Sequence, residues 1–256
     1  MGTVSGMAQP MEREVGARHP SVQLPEKHHR DVQGGTARAA VFGVSDGLVS
    51  NVSLILGVAG ASPGAGVVRL AGLAGLIAGA VSMAAGEYVS MKAQSELLER
   101  ELDMERRELE RNPHLETVEL AEIYRQRGVP EEHADALAKA MMSNPELALE
   151  THAREELGID PSELGSPLGA ATSSFFSFAA GAIAPLVPWF FGSGDAAILA
   201  SVAIGVVAAA VVGALIAYFA ARSYVRSMVR QVLIAAVAAA VTYGIGSAVG
   251  TGAAVT

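Results

Sequence analysis

The sequence predicts an all-α membrane protein: five transmembrane helices, with a cytoplasmic helical module inserted between the second and the third. Three observations carry that expectation. Apolar residues make up 51% of the 256 positions, more than in an ordinary soluble domain. They gather in five blocks, each near the roughly 20 residues that a helix needs to cross hydrocarbon. Between the second and third blocks the composition turns abruptly acidic. Aromatics are only 5%, and blocks built from Ala, Gly, Val, Leu and Ile suit helices that approach one another closely.

Residues 1–38 form a polar N-terminal segment containing Glu12, Arg13, Glu14, His19, His28, His29 and Arg30. It has no apolar run resembling the central region of a signal peptide, so no cleavage is expected. Residues 39–91 hold spans one and two, Ala39 to Gly60 and Leu70 to Met91. Residues 168–256 hold spans three to five, Leu168 to Phe191, Ala196 to Ala221 and Gln231 to Val249, and a short tail. Cysteine is absent, which removes disulfides and thiolate metal sites. Any metal must meet oxygen, imidazole or thioether.

Positively charged loops stay on the cytoplasmic side of a membrane. Of the 18 Lys and Arg, all but Arg69 fall in residues 1–38, in residues 92–167, or at Arg222, Arg226 and Arg230 in the turn between spans four and five. That places the N-terminus and the insertion in the cytoplasm and the C-terminus outside, and it requires an odd number of spans. The hydropathy blocks give five.

The insertion, residues 92–167, carries 19 acidic and nine basic residues. No Gly or Pro interrupts Glu87 to Asn112, so span two is expected to continue outward as one long helix ending at Asn112-Pro113. Further helices are expected over Leu115–Arg127, Pro130–Met142 and Pro145–Leu157, separated by Gly128-Val129-Pro130 and Ser143-Asn144-Pro145.

Two acidic residues lie within the spans, Asp46 in the first and Glu87 near the cytoplasmic end of the second. A carboxylate at the bilayer centre costs roughly 2.5–3.5 kcal/mol on insertion scales, so it normally faces an interior path or a partner. Glu87 also admits a plainer reading as an interfacial, solvated side chain. Gly43, Asp46, Ser50, Ser53 and Gly57 share one helical face, and Gly72, Gly75, Gly79, Met83 and Glu87 share another. Two carboxylates and a thioether on facing stripes would suit a divalent cation, although for Met83 by itself ordinary packing is the better explanation. In the insertion, Glu105 with Glu108, Glu116 with Glu119, and His152 with Glu156 each share a helix face. Such donors suit Fe²⁺ and Mn²⁺ and also admit Ca²⁺ or Zn²⁺. Their spacing equally describes a solvated acidic surface laced with i,i+4 ion pairs such as Glu96–Arg100.

The run from Arg38 to Asn51, RAAVFGVSDGLVSN, and the run from Ala71 to Ser90, AGLAGLIAGAVSMAAGEYVS, closely resemble the vacuolar iron transporter family. The likeness in layout covers roughly residues 28–250, including a third span that bears Pro185 and Pro188. It implies proton-driven export of Fe²⁺ or Mn²⁺ from the cytoplasm by a homodimer whose path runs between protomers, with no prosthetic group. It further implies that Asp46 and Met83 line that path and that Glu105, Glu108, Glu116, Glu119 and Glu156 bind metal. Where well-known eukaryotic members carry a Met pair one turn before the last of these glutamates, this chain has His152 and Ala153, which puts an imidazole in place of thioethers.

A rival from another class is a membrane-anchored metal buffer or sensor, for which Asp46 has no use. Enzyme chemistry is disfavoured by the lack of any catalytic constellation. Nucleic-acid binding is disfavoured by the net charge of −8. The Arg222, Arg226 and Arg230 cluster reads as an anchor near anionic headgroups. The short loops and high Ala and Gly content fit a bacterial inner membrane.

Overall fold

The computed structural model describes residues 35–61, 64–158, 160 and 165–253. All but the last four residues of the polar segment expected over 1–38 therefore lie outside it. In chain order the helices are α1 (Gly35–Ala61), α2 (Ala65–Arg111), α3 (Pro113–Gln126), α4 (Glu131–Met141), α5 (Pro145–Glu155), α6 (Pro167–Ile183), α7 (Pro188–Phe191), α8 (Gly194–Ala220) and α9 (Tyr224–Ala253). Five of them are long and apolar enough to cross a membrane: α1, α2, α6 with the turn that follows it, α8 and α9.

Helix α1 is central and packs on α2, α6, α8 and α9. Glycine makes this possible. A Cβ on Gly47 would collide with the Phe178 carbonyl of α6, and one on Gly181 of α6 would collide with the Val44 carbonyl of α1. At the other end of α1, Gly246 of α9 abuts the Gly57 carbonyl and Gly250 abuts Ala61. Gly246 and Gly250 thus pack within one chain. Between these close approaches lie small apolar clusters: Leu48 with Ala209, Val212 and Ala235, and Leu76 and Ala80 of α2 with Phe178 and Ala182 of α6.

The third span departs from expectation. Instead of one helix over Leu168–Phe191, α6 ends at Ile183, a 3₁₀ turn covers Ala184–Leu186, and α7 adds a single turn. Pro185 and Pro188 supply no N–H to the helical ladder, so the path breaks there. Neighbouring helices reach into the break. Asn51 Nδ2 of α1 donates to the Ala182 carbonyl at 2.6 Å, and the Ser201 hydroxyl of α8 donates to the Pro185 carbonyl at 2.7 Å. Such partners are what make irregular backbone tolerable at membrane depth. Leu186 and Trp189 then pack with Ile55, Val68 and Ala197.

The α8–α9 turn is shorter than expected. Ala221 closes α8 in the left-handed region (φ 49°), and α9 begins at Tyr224. Only Arg222 lies in the turn; Arg226 and Arg230 sit on the first two turns of α9. Hydropathy hid this, because charged residues that extend an apolar helix read as loop.

Helix α2 does continue beyond the bundle as a single 47-residue helix, about 70 Å long at 1.5 Å per residue. Asn112 closes it, its N–H bonding the Glu108 carbonyl, and Pro113 occupies the first turn of α3. Helices α3 and α4 form a hairpin around Leu120, Ala121, Tyr124, Ala134 and Ala138, tied at the surface by Arg125–Asp135. Helix α5 starts at an Asn144 cap whose Oδ1 accepts from the Glu146 and Leu147 N–H groups, and an Arg127–Glu155 ion pair joins its far end to the end of α3.

Candidate metal centre

The insertion's helices converge on three buried polar side chains. Glu105 of the α2 stalk is 5% exposed, Glu116 of α3 is 4% exposed and His152 of α5 is 0% exposed. One ligand-capable atom from each lies within 4.8 Å of the other two. Among the described residues this is the group of His, Asp and Glu that is gathered closely enough to hold an ion. Each arrives by a local rule. The unbroken stalk carries Glu105 outward, Pro113 starts α3 so that Glu116 falls near its N-terminal end, and α5 presents His152 on the face that buries the small residues Ala148 and Ala153.

The contacts are those of a site lacking positive charge. Oε1 of Glu105 is buried and has no hydrogen-bond partner. His152 Nδ1 lies 3.0 Å from the Ala148 carbonyl, and Nε2 lies 3.3 Å from the Glu116 carbonyl and 3.9 Å from its carboxylate. Both ring nitrogens thus face oxygen acceptors, and a neutral imidazole can donate from only one of them. A cation at the carboxylate edge would relieve both conflicts.

Electrostatics agree. Burial pushes the Glu105 carboxyl up to about 7, with the charges of Glu156, Glu116 and Glu108 adding to the rise and His152 opposing it. Burial also raises Glu116, helped by Glu119, Glu108 and Glu156. Glu156 is raised by desolvation and then by Glu119 and Glu108. The five glutamates singled out in the sequence are thus linked through the fields felt by Glu105, Glu116 and Glu156. Glu108, Glu119 and Glu156 form an exposed rim around the buried trio.

The intramembrane candidates stand apart from this group. Glu87 lies 18 residues before Glu105, about 27 Å along the helix. Asp46 is half-buried and accepts a hydrogen bond from the Ser50 hydroxyl at 3.2 Å. Met83 packs beside Phe175 and Ala179 of α6 against the Leu76–Phe178 cluster. The two glycine stripes have several neighbours rather than facing each other throughout: Gly75 meets Asn51 and Leu54 of α1, Gly79 meets Phe178 of α6, and Gly57 meets Thr242 of α9. Two residues that the sequence reading passed over belong to this region. Gln231 of α9 is buried and donates to the Ser45 hydroxyl at 2.7 Å, next to Asp46. Asn51, at the end of the first motif, bridges to α6. A polar residue inside an apolar block was the available signal for both.

Comparison with known proteins agrees with this architecture. Residues 37–247 match the model of the VIT family. The chain is 32% identical over 200 residues to vacuolar iron transporter 1 of Oryza sativa subsp. japonica, covering 78% of this chain and 79% of that one. It is 38% identical over 176 residues to the vacuolar iron transporter of Acanthamoeba castellanii, covering 68% and 63%. It is 31% identical over 193 residues to vacuolar iron transporter 1 of Arabidopsis thaliana, covering 74% and 77%. These relatives are named as transporters, not as enzymes. With five membrane-length helices, an inserted acidic module and a match running through both, the chain belongs to the VIT family.

Proposed function

We propose that this protein moves a divalent metal, Fe²⁺ and also Mn²⁺, across a membrane, and that Glu105, Glu116 and His152 form the site at which the inserted module takes the metal up. The observation that carries this reading is the buried Glu105 carboxylate, whose Oε1 lacks a partner beside Glu116 and His152. A solvated acidic surface does not bury its carboxylates against one another, because an unpaired buried charge is costly. The rim of Glu108, Glu119 and Glu156 draws cations inward, and oxygen and imidazole donors without thiolate suit Fe²⁺ and Mn²⁺.

The metal then travels from the module toward Glu87, Met83 and Asp46, which line the intramembrane path. The distribution of Lys and Arg supports a cytoplasmic N-terminus and module and an external C-terminus, so the direction is outward from the cytoplasm. Proton exchange on Asp46 and Glu87 couples this movement to an inward proton gradient, making the protein a metal/proton antiporter. Homodimerisation is supported by a small-residue face on α2, where Ala74, Ala78, Ser82 and Gly86 recur every four residues and are exposed. The relatives named above are plant and amoeba proteins called vacuolar, and nothing among them favours the bacterial inner membrane suggested by composition.

Reconstituted protein tests the reading. Fe²⁺ and Mn²⁺ entry into proteoliposomes is followed with and without an imposed pH gradient, for wild type and Asp46→Ala. Gradient-dependent uptake that Asp46→Ala abolishes is expected. Metal binding without uptake in either protein would instead make the chain an anchored metal buffer, and uptake indifferent to the gradient would remove the antiport step.

A further inference from the structure

The α8–α9 reversal carries a charge pattern that metal movement does not use. Arg226 and Arg230 are four residues apart on one face of α9, and Arg222 precedes them in the turn. All three are exposed, and among the described residues none is joined to a carboxylate. They also oppose the helix dipole, since a helix N-terminus favours negative charge. The retention of positive charge on one side of the membrane accounts for basic residues at this end, and their exposure without a carboxylate partner leaves them available to an anionic ligand.

The surface around them is amphipathic along its length. Ser223, Arg226 and Arg230 edge a shallow, open groove on the surface of α9 itself, whose continuation along the helix is apolar, formed by Val229, Leu233 and Ile234. Exposed Tyr218, Phe219 and Tyr224 flank the same turn, the residue types that gather where a membrane meets water. By the course of the chain this is the end of the bundle from which α2 leaves and to which α6 returns, so the groove opens at the level of headgroups on the module's side.

We propose that this groove is a binding site for an anionic phospholipid, with the headgroup phosphate on Arg226 and Arg230, Arg222 adding charge, and an acyl chain lying along Val229, Leu233 and Ile234. Charge complementarity selects the headgroup. The apolar continuation selects a lipid over a free anion, because an inorganic phosphate would leave that half of the groove unused. Arginine suits the task through its planar fork of donors.

Native mass spectrometry of the full-length protein, presented with equimolar phosphatidylglycerol and phosphatidylcholine, tests this independently of transport. Wild type should retain phosphatidylglycerol in preference, and Arg226→Gln/Arg230→Gln should weaken that retention roughly thirtyfold at moderate ionic strength. Arg226→Lys/Arg230→Lys, which keeps the charges, should retain most of it. Equal retention of the two lipids by wild type would overturn the proposal, as would unchanged phosphatidylglycerol retention in the Gln variant. Displacement of phosphatidylglycerol by equimolar inorganic phosphate would make this a free-anion site and overturn the lipid assignment.

Discussion

The bundle and the inserted module both bury polar side chains, but they treat them in opposite ways. In the bundle, Asn51, Ser201 and Gln231 donate to a carbonyl or hydroxyl on a neighbouring segment, and each bond ties two elements together. Where atoms there go without a partner, as with Asn51 Oδ1 and Ser53 Oγ, they are neutral. In the module the unpartnered atom belongs to a carboxylate, and its neighbours are another carboxylate and an imidazole. The bundle uses buried polarity to complete its structure. The module leaves a buried carboxylate oxygen without a partner, which is the feature the proposed metal site rests on.

The largest effect that could break this contrast lies in the bundle. Gly246→Val drives a side chain into the Gly57 carbonyl, where neither backbone can retreat, and should cost more than about 3 kcal/mol. The check is whether the variant still elutes as a folded species with wild-type thermal melting. In the module an isosteric change should act on binding instead. Glu105→Gln should weaken Mn²⁺ affinity by about 100-fold or more while raising the melting temperature of the metal-free protein near pH 8, since it removes an ionised carboxylate from a buried, negative site. If Glu105→Gln lowered that melting temperature, the module would be using its polarity as the bundle does.

Acidity sharpens the contrast next. Glu105 in the folded chain holds its proton up to about pH 7, against an ordinary value of 4.5. Between those values the folded state binds more protons than the unfolded state, so the stability contributed by the protonated carboxyl is complete below about 4.5 and is lost as pH rises toward 7. The metal-free protein should melt at lower temperature at pH 7 than at pH 5, and Glu105→Gln should flatten that slope. Metal must displace the same proton, so Mn²⁺ affinity should fall by about tenfold per pH unit below 7. The smallest effect is again in the bundle: Asn51→Leu should cost about 1 kcal/mol, as interhelical hydrogen bonds in membranes usually do, seen as a modest loss of melting temperature.

How far the sequence was legible follows from the same physics. The span count, the 47-residue α2 and the three module helices were readable, because apolar period, uninterrupted helix formers and Pro or Gly breaks are local signals. The break at Pro185 and Pro188 was visible as residues but not as a break, since its outcome depends on Asn51 and Ser201 supplying donors from other helices. Arg226 and Arg230 were misplaced into a turn because hydropathy cannot distinguish a charged helical end from a loop. Within the module, spacing gave the pairs Glu105/Glu108 and Glu116/Glu119 but not which member is buried. Tertiary packing makes that choice, and it selects Glu105 and Glu116. Spacing likewise paired His152 with Glu156 without telling which is buried, and the fold makes it His152, grouped with Glu105 and Glu116.

The most direct test of the central claim is a calorimetric titration of the purified full-length protein with Mn²⁺, run for wild type, Glu105→Gln and His152→Ala in two buffers of different ionisation enthalpy near pH 6.5. One buried site per chain is predicted to bind with release of a proton, with both variants losing that site and Glu105→Gln losing the proton release as well. Affinity and proton release that were the same in all three proteins would show that Glu105, Glu116 and His152 do not form the metal centre.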